Sequence, residues 1–278
     1  MRLLVTGAQG QLGRALATAS QRRSLELLGI DLPEHDISDG RAMMALVRQW
    51  RPTVIVNCAA FTAVDLAEER EEEARRVNAE AVGHLAAAAN EVDALLVQIS
   101  TDYVFDGTAS RPYREQDPCR PLSAYGRTKL AGELAARAAR RHLIVRTAWL
   151  YGEGQNFVGA IRRQLEGGAR MLRVVNDQFG SPTWTVDLAE ALLALVRLEA
   201  EGVVHAVNDG VTSWHGFACE IVRQLGVDAE VVPVSTAQMP RPARRPPWSV
   251  LDTTLLCSLM GKPMPPWQDA LARYLAAR

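Results

Sequence analysis

The chain has 278 residues, of which 48% are hydrophobic, and this is enough for one large α/β domain or for such a domain with a smaller appendage. Its 31 basic and 32 acidic residues leave no basic excess, which argues against nucleic acid or an anionic membrane as a partner. The apolar runs are too short to cross a membrane and the four cysteines are scattered, so we expect a cytoplasmic protein with reduced thiols and no metal cluster.

The chain opens with a predicted strand, Arg2–Thr6, which leads directly into three glycines and a predicted helix, Gln11–Gln21. Gly7, Gly10 and Gly13 would let the backbone approach a pyrophosphate, which free N–H groups and the positive end of the helix would bind. A tight turn without a ligand is the alternative. Because the glycines follow an N-terminal strand in an alternating β/α pattern, we favour a dinucleotide.

A second predicted strand, Leu25–Ile30, ends beside a carboxylate, Asp31. An acidic residue about 20 positions after the glycines binds the ribose hydroxyls of a dinucleotide, and it therefore favours NADH over NADPH. An ordinary solvated Asp at a strand end is the alternative. NADPH also stays open, because Arg14, Arg22 and Arg23 lie near enough in sequence to meet a 2′-phosphate.

The pattern of strands and helices continues through the first half of the chain. The further elements are a helix near Gly40–Trp50, a strand at Thr53–Asn57, a helix at roughly Arg70–Asn90, and a strand at Ala94–Ser100. A helix at Tyr125–Arg141, expected to bury Leu130, Leu134 and Ala138, and a strand at His142–Thr147 follow. This alternation predicts an α/β fold of the Rossmann type, a doubly wound parallel sheet with right-handed crossovers.

Beyond Tyr151 the pattern changes. We predict a helix near Phe157–Glu166, a helix at Val186–Leu198, a strand at Val203–Val207 that returns to the sheet, and a proline-rich surface segment from Met239 to Trp248. We therefore expect a dinucleotide-binding domain formed by residues 1–150 with about 171–208. A smaller substrate-binding lobe, about 151–170 with 209–278, would close over the carboxyl ends of the strands.

Tyr125 and Lys129 stand four residues apart, so a helix places the phenol and the ammonium on one face. We predict that the ammonium lowers the pKa of the phenol from its reference near 10, which would suit proton transfer to a substrate oxygen. Thr101 ends a strand and would hold a carbonyl oxygen, with Ser100 as the alternative. This favours carbonyl–alcohol redox chemistry over nucleophilic hydrolysis, for which no Gly-x-Ser-x-Gly or His-Glu-x-x-His motif is present.

Some polar residues allow two interpretations. Asp36 and Ile37 have the character of an adenine contact, but a helix N-cap at Asp36 or Ser38 explains the same residues. Asn78 is interpreted either as a buried polar support or as an exposed residue.

The proline-rich segment carries three arginines, Arg241, Arg244 and Arg245. Guanidinium groups on a rigid loop suit a diphosphate, because bidentate contacts to phosphate are strong and directional. A solvated run of charge is the alternative.

Taken together, these motifs resemble those of the extended short-chain dehydrogenase/reductase superfamily, which is defined by TGxxGxxG and YxxxK. Within it, the chain is similar over nearly its whole length to the dTDP-4-dehydrorhamnose reductase family. The likeness rests on the segments Gly7–Gly13, Arg51–Asn57, Ala60–Asp65, Ser100–Phe105, Tyr125–Glu133, Arg146–Tyr151, Asn176–Thr183 and Arg241–Pro246.

The resemblance implies reduction of the C4 ketone of dTDP-4-dehydro-L-rhamnose by NADH or NADPH. It implies that Tyr125 donates the proton, that Lys129 binds the nicotinamide ribose, and that Thr101 orients the carbonyl. The implied cofactor contacts, which include the three glycines of the turn, are Gly7, Gly10, Gln11, Leu12, Gly13, Asp31, Asp36, Ile37, Ala60, Phe61, Thr62, Tyr125 and Lys129. The implied substrate contacts are Thr101, Asp102 and Trp149, to which we add Arg244 from the proline-rich segment.

The chain departs from the pattern of the family at two places. Phe61 stands where some members have a histidine, so we expect its contact with the cofactor to be made through the backbone. Some members bind magnesium through acidic side chains at a dimer interface, whereas this chain has Arg14 and Ala15 where one such residue is expected. Magnesium and a homodimer therefore stay open. So do two other functions on the same scaffold, a nucleotide-sugar epimerase or dehydratase and a non-catalytic regulatory subunit.

Overall fold

The computed structural model describes residues 1–277. The strands in chain order are β1 (Arg2–Thr6), β2 (Glu26–Ile30), β3 (Val54–Asn57), β4 (Leu95–Thr101), β5 (His142–Thr147), β6 (Leu150–Tyr151), β7 (Met171–Val175), β8 (Phe179–Gly180), β9 (Thr183–Trp184), β10 (Gly202–His205), β11 (Thr212–Ser213) and β12 (Glu230–Val234). The α-helices are α1 (Gln11–Arg22), α2 (Gly40–Trp50), α3 (Glu71–Arg75), α4 (Ala81–Val92), α5 (Ala124–Ala136), α6 (Phe157–Glu166), α7 (Thr185–Arg197), α8 (Trp214–Leu225), α9 (Thr254–Met260) and α10 (Trp267–Ala276). Among the described helices, none has the length and apolar composition needed to span a bilayer.

The central sheet has six strands in the order β10-β5-β4-β3-β1-β2. Every neighbouring pair is parallel. This confirms the predicted Rossmann-type sheet and the return of the β10 segment to its edge. Strand β2 lies on one side of β1, and β3 lies on the other. The strand order therefore reverses at β1, and this reversal opens a crevice at the carboxyl ends of these strands.

Helices cover both faces of the sheet, as its apolar strands require. Alternate side chains of a strand point to opposite faces, so Leu3 and Val5 of β1 enter one core cluster while Leu4 enters another. The first cluster is closed by α1 and α7, and the second by α2, α4 and α5. The sheet is therefore rigid beneath its carboxyl edge.

A smaller lobe packs around α6, α8 and α10, with Phe217 and Trp267 in its core. Strand β7 pairs in parallel with β12, and its buried residues Leu172 and Val174 join this core. The division into two domains remains a prediction, and this pairing favours drawing the boundary so that Met171–Val175 belongs to the lobe.

The structure confirms most predicted elements within one or two residues, but two helices differ. The predicted helix at Arg70–Asn90 contains a π-helical turn at Arg76–Glu80 between α3 and α4. The predicted helix at Tyr125–Arg141 ends at Ala136.

The predicted buried face of α5 is wrong. Leu134 is 61% exposed, Ala138 is exposed and Leu130 is only partly buried. The helix instead buries polar side chains, including Thr128, Lys129 and Glu133, because each of them has a partner on another element. Apolar periodicity therefore fails on this helix, and such failures concentrate at functional sites.

A buried ion pair joins α5 to the sheet. Glu133 and Arg146, 1% and 3% exposed, form two hydrogen bonds of 2.8 Å, from Nε to Oε1 and from Nη2 to Oε2. Ser100 of β4 donates a further hydrogen bond of 2.5 Å to the same carboxylate. The pair therefore fixes the position of α5 over β4 and β5.

We expect Glu133→Gln to lower the free energy of unfolding by about 3 to 5 kcal/mol, because it leaves the buried Arg146 guanidinium without its counter-charge. Urea unfolding measures this loss. Glu71→Gln is the matched control, since Glu71 makes a similar two-bond pair with Arg127 of the same helix at the exposed surface. That pair is expected to contribute at most about 1 kcal/mol, and equal losses in the two variants would contradict the assignment.

Candidate active site

The glycine turn between β1 and α1 has no room for side chains. Gly7 has φ +63°, and a Cβ there would lie 2.7 Å from the backbone nitrogen of Ala59. A Cβ on Gly13 would lie 2.4 Å from the carbonyl oxygen of Gly7. Helix α1 begins without a side-chain cap or an acidic residue in its first turn. Its N-terminus therefore suits an anion such as a diphosphate.

A cleft of about 890 Å³ runs from this turn across the carboxyl ends of the strands. The residues of the sequence prediction that line it are Gly7, Gly10, Gln11, Leu12, Gly13, Asp31, Asp36, Ile37, Ala60, Thr62, Thr101, Asp102, Tyr125, Lys129 and Trp149. Phe61 and Arg244 are not among the residues that line it. The fold thus brings most of the candidate residues together, although their roles remain predictions.

Asp31 is fixed beside the glycine turn. Its Oδ2 accepts a hydrogen bond of 2.7 Å from the backbone N–H of Gln9, and its Oδ1 accepts one of 2.9 Å from that of Leu32. The three nearby arginines do not line the cleft: Arg14 pairs with Glu153, Arg23 pairs with Glu190, and Arg22 is exposed at the surface.

Asp36 forms a local turn and does not cap a helix. Its carboxylate accepts hydrogen bonds from the backbone N–H and the hydroxyl of Ser38, and these bonds lower its pKa. The N-cap of α2 is Asp39, which accepts bonds of 3.0 Å from the N–H groups of Arg41 and Ala42. The predicted N-cap at Asp36 or Ser38 is therefore wrong, and the adenine contact stays a prediction.

Tyr125 and Lys129 both line the cleft, but the predicted effect of the ammonium on the phenol is wrong. The pKa of Tyr125 is raised to about 12, mainly by burial and also by the charge of Asp102, and a hydrogen bond with Thr101 opposes the change. The Lys129 ammonium instead donates a hydrogen bond of 2.6 Å to the carbonyl oxygen of Ile99. Burial lowers the pKa of Lys129 to about 8.

Asp102 is a buried carboxyl group, 2% exposed, between the two parts of the molecule. It accepts a hydrogen bond of 2.5 Å from the hydroxyl of Ser249, which follows the proline-rich segment, and one of 3.0 Å from that of Thr101. Burial raises the pKa of Asp102 to about 7, although these hydrogen bonds lower it. The carboxyl group therefore changes its charge near neutral pH.

Asn78 lies in the π-helical turn and is buried, as one of its two sequence interpretations requires. Its Oδ1 accepts a hydrogen bond of 2.8 Å from the N–H of Phe61, and its Nδ2 donates to the carbonyl of Phe61 and to the hydroxyl of Thr128. It thus joins the segment after β3 to α5. Nothing in its local sequence separates it from an exposed Asn.

The proline-rich segment turns a different arginine toward the cleft. Arg245 lines the cleft, whereas Arg244 is exposed outside it. Two hydrogen bonds of 2.9 and 3.0 Å join Arg245 to the carboxylate of Asp65, and this pairing lowers the pKa of Asp65. The sequence indicated the cluster but could not indicate which guanidinium faces inward, because prolines make the segment irregular.

Aromatic rings close the lobe side of the cleft. Trp149 stacks on Trp214 with 3.7 Å between ring centroids and 8° between ring planes. Trp149 has φ +47°, and its ring lies so close to Gly180 that a Cβ there would be 2.7 Å away. Both indoles line the cleft, and sequence analysis identified only the first.

Within residues 1–277, no group of three or more His, Cys, Asp or Glu side chains is arranged to hold a metal ion. Cys58, Cys119, Cys219 and Cys257 are all free.

Comparison with known proteins places this fold and cleft in a family. Residues 1–278 match the family described as the RmlD substrate binding domain. The chain belongs to this family. It is 45% identical to the dTDP-4-dehydrorhamnose reductase of Streptomyces griseus, over 99% of this chain and 93% of the relative. It is also 42% identical to the dTDP-4-keto-6-deoxy-D-glucose reductase of Streptomyces niveus, over 98% and 96% of the two chains.

A solved structure within the same group agrees. The dTDP-4-dehydrorhamnose reductase of Bacillus anthracis, crystallised in complex with NADP, superimposes with a TM-score of 0.96 at 35% identity. The match covers 100% of this chain and 99% of that one. The Rossmann-type fold and the use of a nicotinamide cofactor are therefore those of the family.

The raised pKa of Asp102 makes the stability of the folded protein depend on pH. Between its ordinary pKa of 3.8 and about 7, the folded state binds more protons at this group than the unfolded chain does. The contribution of Asp102 to the free energy of unfolding is thus fully present below pH 3.8. As the pH rises through 7, the free energy of unfolding falls by at most about 4 kcal/mol through this group. We expect Asp102→Asn to remove this loss, as measured by urea unfolding from pH 4 to 8.

Asp106→Asn is the control. Because the pKa of Asp106 is lowered, ionisation of this group cannot reduce the free energy of unfolding between pH 4 and 8. The pH dependence of that variant should match the wild type. If the free energy of unfolding of Asp102→Asn varied with pH as that of the wild type does, Asp102 would be ionised from pH 4 to 8 and the prediction would be wrong.

Proposed function

We propose that this protein reduces the C4 ketone of dTDP-4-dehydro-L-rhamnose to give dTDP-L-rhamnose, with a reduced nicotinamide cofactor. The observation that carries the proposal is the convergence of Thr101, Tyr125 and Lys129 on one cleft, whose other end is the glycine turn. Family membership and the 45% identity to a reductase of that name support the choice of substrate.

A reduced nicotinamide held in this cleft would supply a hydride for the ketone carbon. The Tyr125 hydroxyl donates its proton to the C4 oxygen, and its pKa of about 12 keeps it protonated until negative charge develops there. Thr101, hydrogen-bonded to the phenol, holds the same oxygen in line. Lys129 binds the hydroxyls of the nicotinamide ribose and fixes the cofactor beside the phenol. Hydride and proton together convert the ketone into the alcohol.

The residues at the glycine end of the cleft fit a dinucleotide. The turn has no room for Cβ atoms at Gly7 and Gly13, and α1 begins after it without a side-chain cap, which suits a diphosphate at the N-terminus of the helix. Among the described residues that line the cleft, the basic side chains are Lys129, Arg245 and His35. Lys129 contacts Ile99 and Arg245 contacts Asp65. The Asp31 carboxylate would repel a 2′-phosphate, and no lysine or arginine that lines the cleft contacts Asp31, which supports a preference for NADH over NADPH.

The lobe side of the cleft supplies the contacts proposed for the dTDP-sugar. Trp149 offers an apolar wall to the sugar, and Asp102 offers a carboxyl group beside Thr101. Arg244, exposed beside the cleft, is proposed to meet the diphosphate of the sugar nucleotide. We also propose a cytoplasmic location, which the four free cysteines support.

One observation favours a second candidate. The relative from Streptomyces niveus is a dTDP-4-keto-6-deoxy-D-glucose reductase, and its identity to this chain is only slightly lower. The same chemistry on that sugar is therefore the alternative substrate assignment. A non-catalytic subunit is disfavoured, because the three groups that would act on the ketone are all present.

The purified protein should oxidise NADH when dTDP-4-dehydro-L-rhamnose is added, with a higher kcat/KM for NADH than for NADPH. Absorbance at the reduced nicotinamide band measures both. Activity with dTDP-4-keto-6-deoxy-D-glucose alone would favour the second candidate. NAD that survives purification on the protein would indicate an epimerase or dehydratase, and inactivity with both sugars and both cofactors would reject a reductase.

We expect Tyr125→Phe to lower kcat by about 10² to 10⁴, the range typical of a general acid, while the affinity for NADH stays unchanged. Steady-state kinetics and a binding titration measure these two quantities. Tyr103→Phe is the control, because Tyr103 also lines the cleft and its ring lies 6.1 Å from that of Tyr125. Equal losses in both variants would mean that Tyr125 supports packing and donates no proton.

A further inference from the structure

Thr147 carries a buried hydroxyl that opens on the cleft. It is the last residue of β5, it is 3% exposed, and it lines the cleft. Within residues 1–277, its Oγ1 has no hydrogen-bond partner. Buried polar groups without a partner are rare in folded proteins, because their desolvation is not compensated. The hydroxyl is therefore available to a bound molecule.

The sheet fixes where this hydroxyl lies. Thr147 is in register with Thr101 on the neighbouring parallel strand, so both side chains point to the same face of the sheet. One strand spacing, about 4.8 Å, separates them. Strand β5 is three spacings, about 14 Å, from β1 and its glycine turn. A dinucleotide whose diphosphate lies on that turn reaches this region with its opposite end.

Apolar residues line the cleft together with Thr147. Leu12, Ile99 and Ala148 line the same cleft, and Leu12 and Ile99 belong to the same core cluster. Apolar lining with an unpartnered hydroxyl beside it suits a flat ring that has apolar faces and a polar substituent. Nicotinamide has this character, since its carboxamide offers both a carbonyl acceptor and N–H donors, and a hydroxyl can pair with either.

We propose that the Thr147 hydroxyl forms a hydrogen bond with the carboxamide of the nicotinamide and so sets which face of the ring meets the substrate. Thr147 is thus a cofactor-positioning residue that neither the motifs nor the resemblance indicated. The inference rests on the proposed use of a nicotinamide cofactor and is independent of the identity of the sugar.

The chain offers a matched control. Ser20 of α1 has a hydroxyl that is equally buried, at 1% exposed, and also has no partner among the described residues. It does not line the cleft. If the removal of any unpartnered hydroxyl weakened cofactor binding, substitutions at both positions would do so. If the hydroxyl contacts the cofactor, only the substitution at Thr147 would weaken binding.

The test compares NADH with ADP-ribose, which keeps the diphosphate and both riboses but lacks the nicotinamide. Calorimetric titration of the full chain with each ligand gives the two dissociation constants. Thr147→Val should weaken NADH about 3- to 10-fold, the effect of one neutral hydrogen bond, and leave ADP-ribose unchanged. Thr147→Ser, which keeps the hydroxyl, should bind NADH like the wild type, and Ser20→Ala should leave both constants unchanged.

Thermal unfolding without ligand separates this role from a structural one. Thr147→Val should melt at the same temperature as the wild type or higher, because it removes a buried hydroxyl that has no partner. A lower melting temperature, an unchanged affinity for NADH, or an equal loss for ADP-ribose would each overturn the proposal. If the wild type binds ADP-ribose but not NADH, both the proposed function and the proposal about Thr147 fail.

Discussion

The buried pair between Glu133 and Arg146 is the constraint on which the geometry of the site depends. Glu133 lies one helical turn beyond Lys129 and two turns beyond Tyr125, so the position of one carboxylate on the sheet sets the positions of both candidate groups. Taking two charges out of water is costly unless their hydrogen bonds are nearly complete, and here Ser100 supplies a third. The helix is therefore held by a geometry that tolerates little displacement.

A second network joins the helix to another element. Asn78 joins α5 to the backbone of Phe61, and it does so from a π-helical turn, an irregularity that is frequent at functional sites. The first network joins the helix to β4 and β5, and the second joins it to the segment after β3. The walls of the cleft are thus held together by buried hydrogen bonds between different elements, and ligand pockets are usually largely pre-formed.

Local signals predicted the fold and the outline of the site, and long-range contacts decided the rest. The strand–glycine–helix opening and the Tyr125 to Lys129 spacing are written in adjacent residues, so both were predictable. The buried face of α5 was not, because Lys129 and Glu133 are buried by partners on β4 and β5. The pKa of Tyr125 was predicted with the wrong sign, since burial and the Asp102 charge outweigh a cation directed at a carbonyl. Thr147 and Asn78 are ordinary residues in sequence and become distinctive only through their hydrogen bonding, which for Thr147 is absent among the described residues.

The proline-rich segment and the residue that follows it bind to two residues that come after strands of the central sheet. Arg245 reaches Asp65 after β3, and Ser249 reaches Asp102 after β4. Each contact pairs a residue near the end of the chain with one from its first half, so a C-terminal segment exchanged between relatives would carry only one partner of each pair. A chimaera in which only the C-terminal third is replaced would need residues that still pair with Asp65 and with Asp102. Diversification of sugar specificity in such a scaffold is therefore expected to proceed by coordinated change on both sides of the cleft, not by recombination of whole lobes.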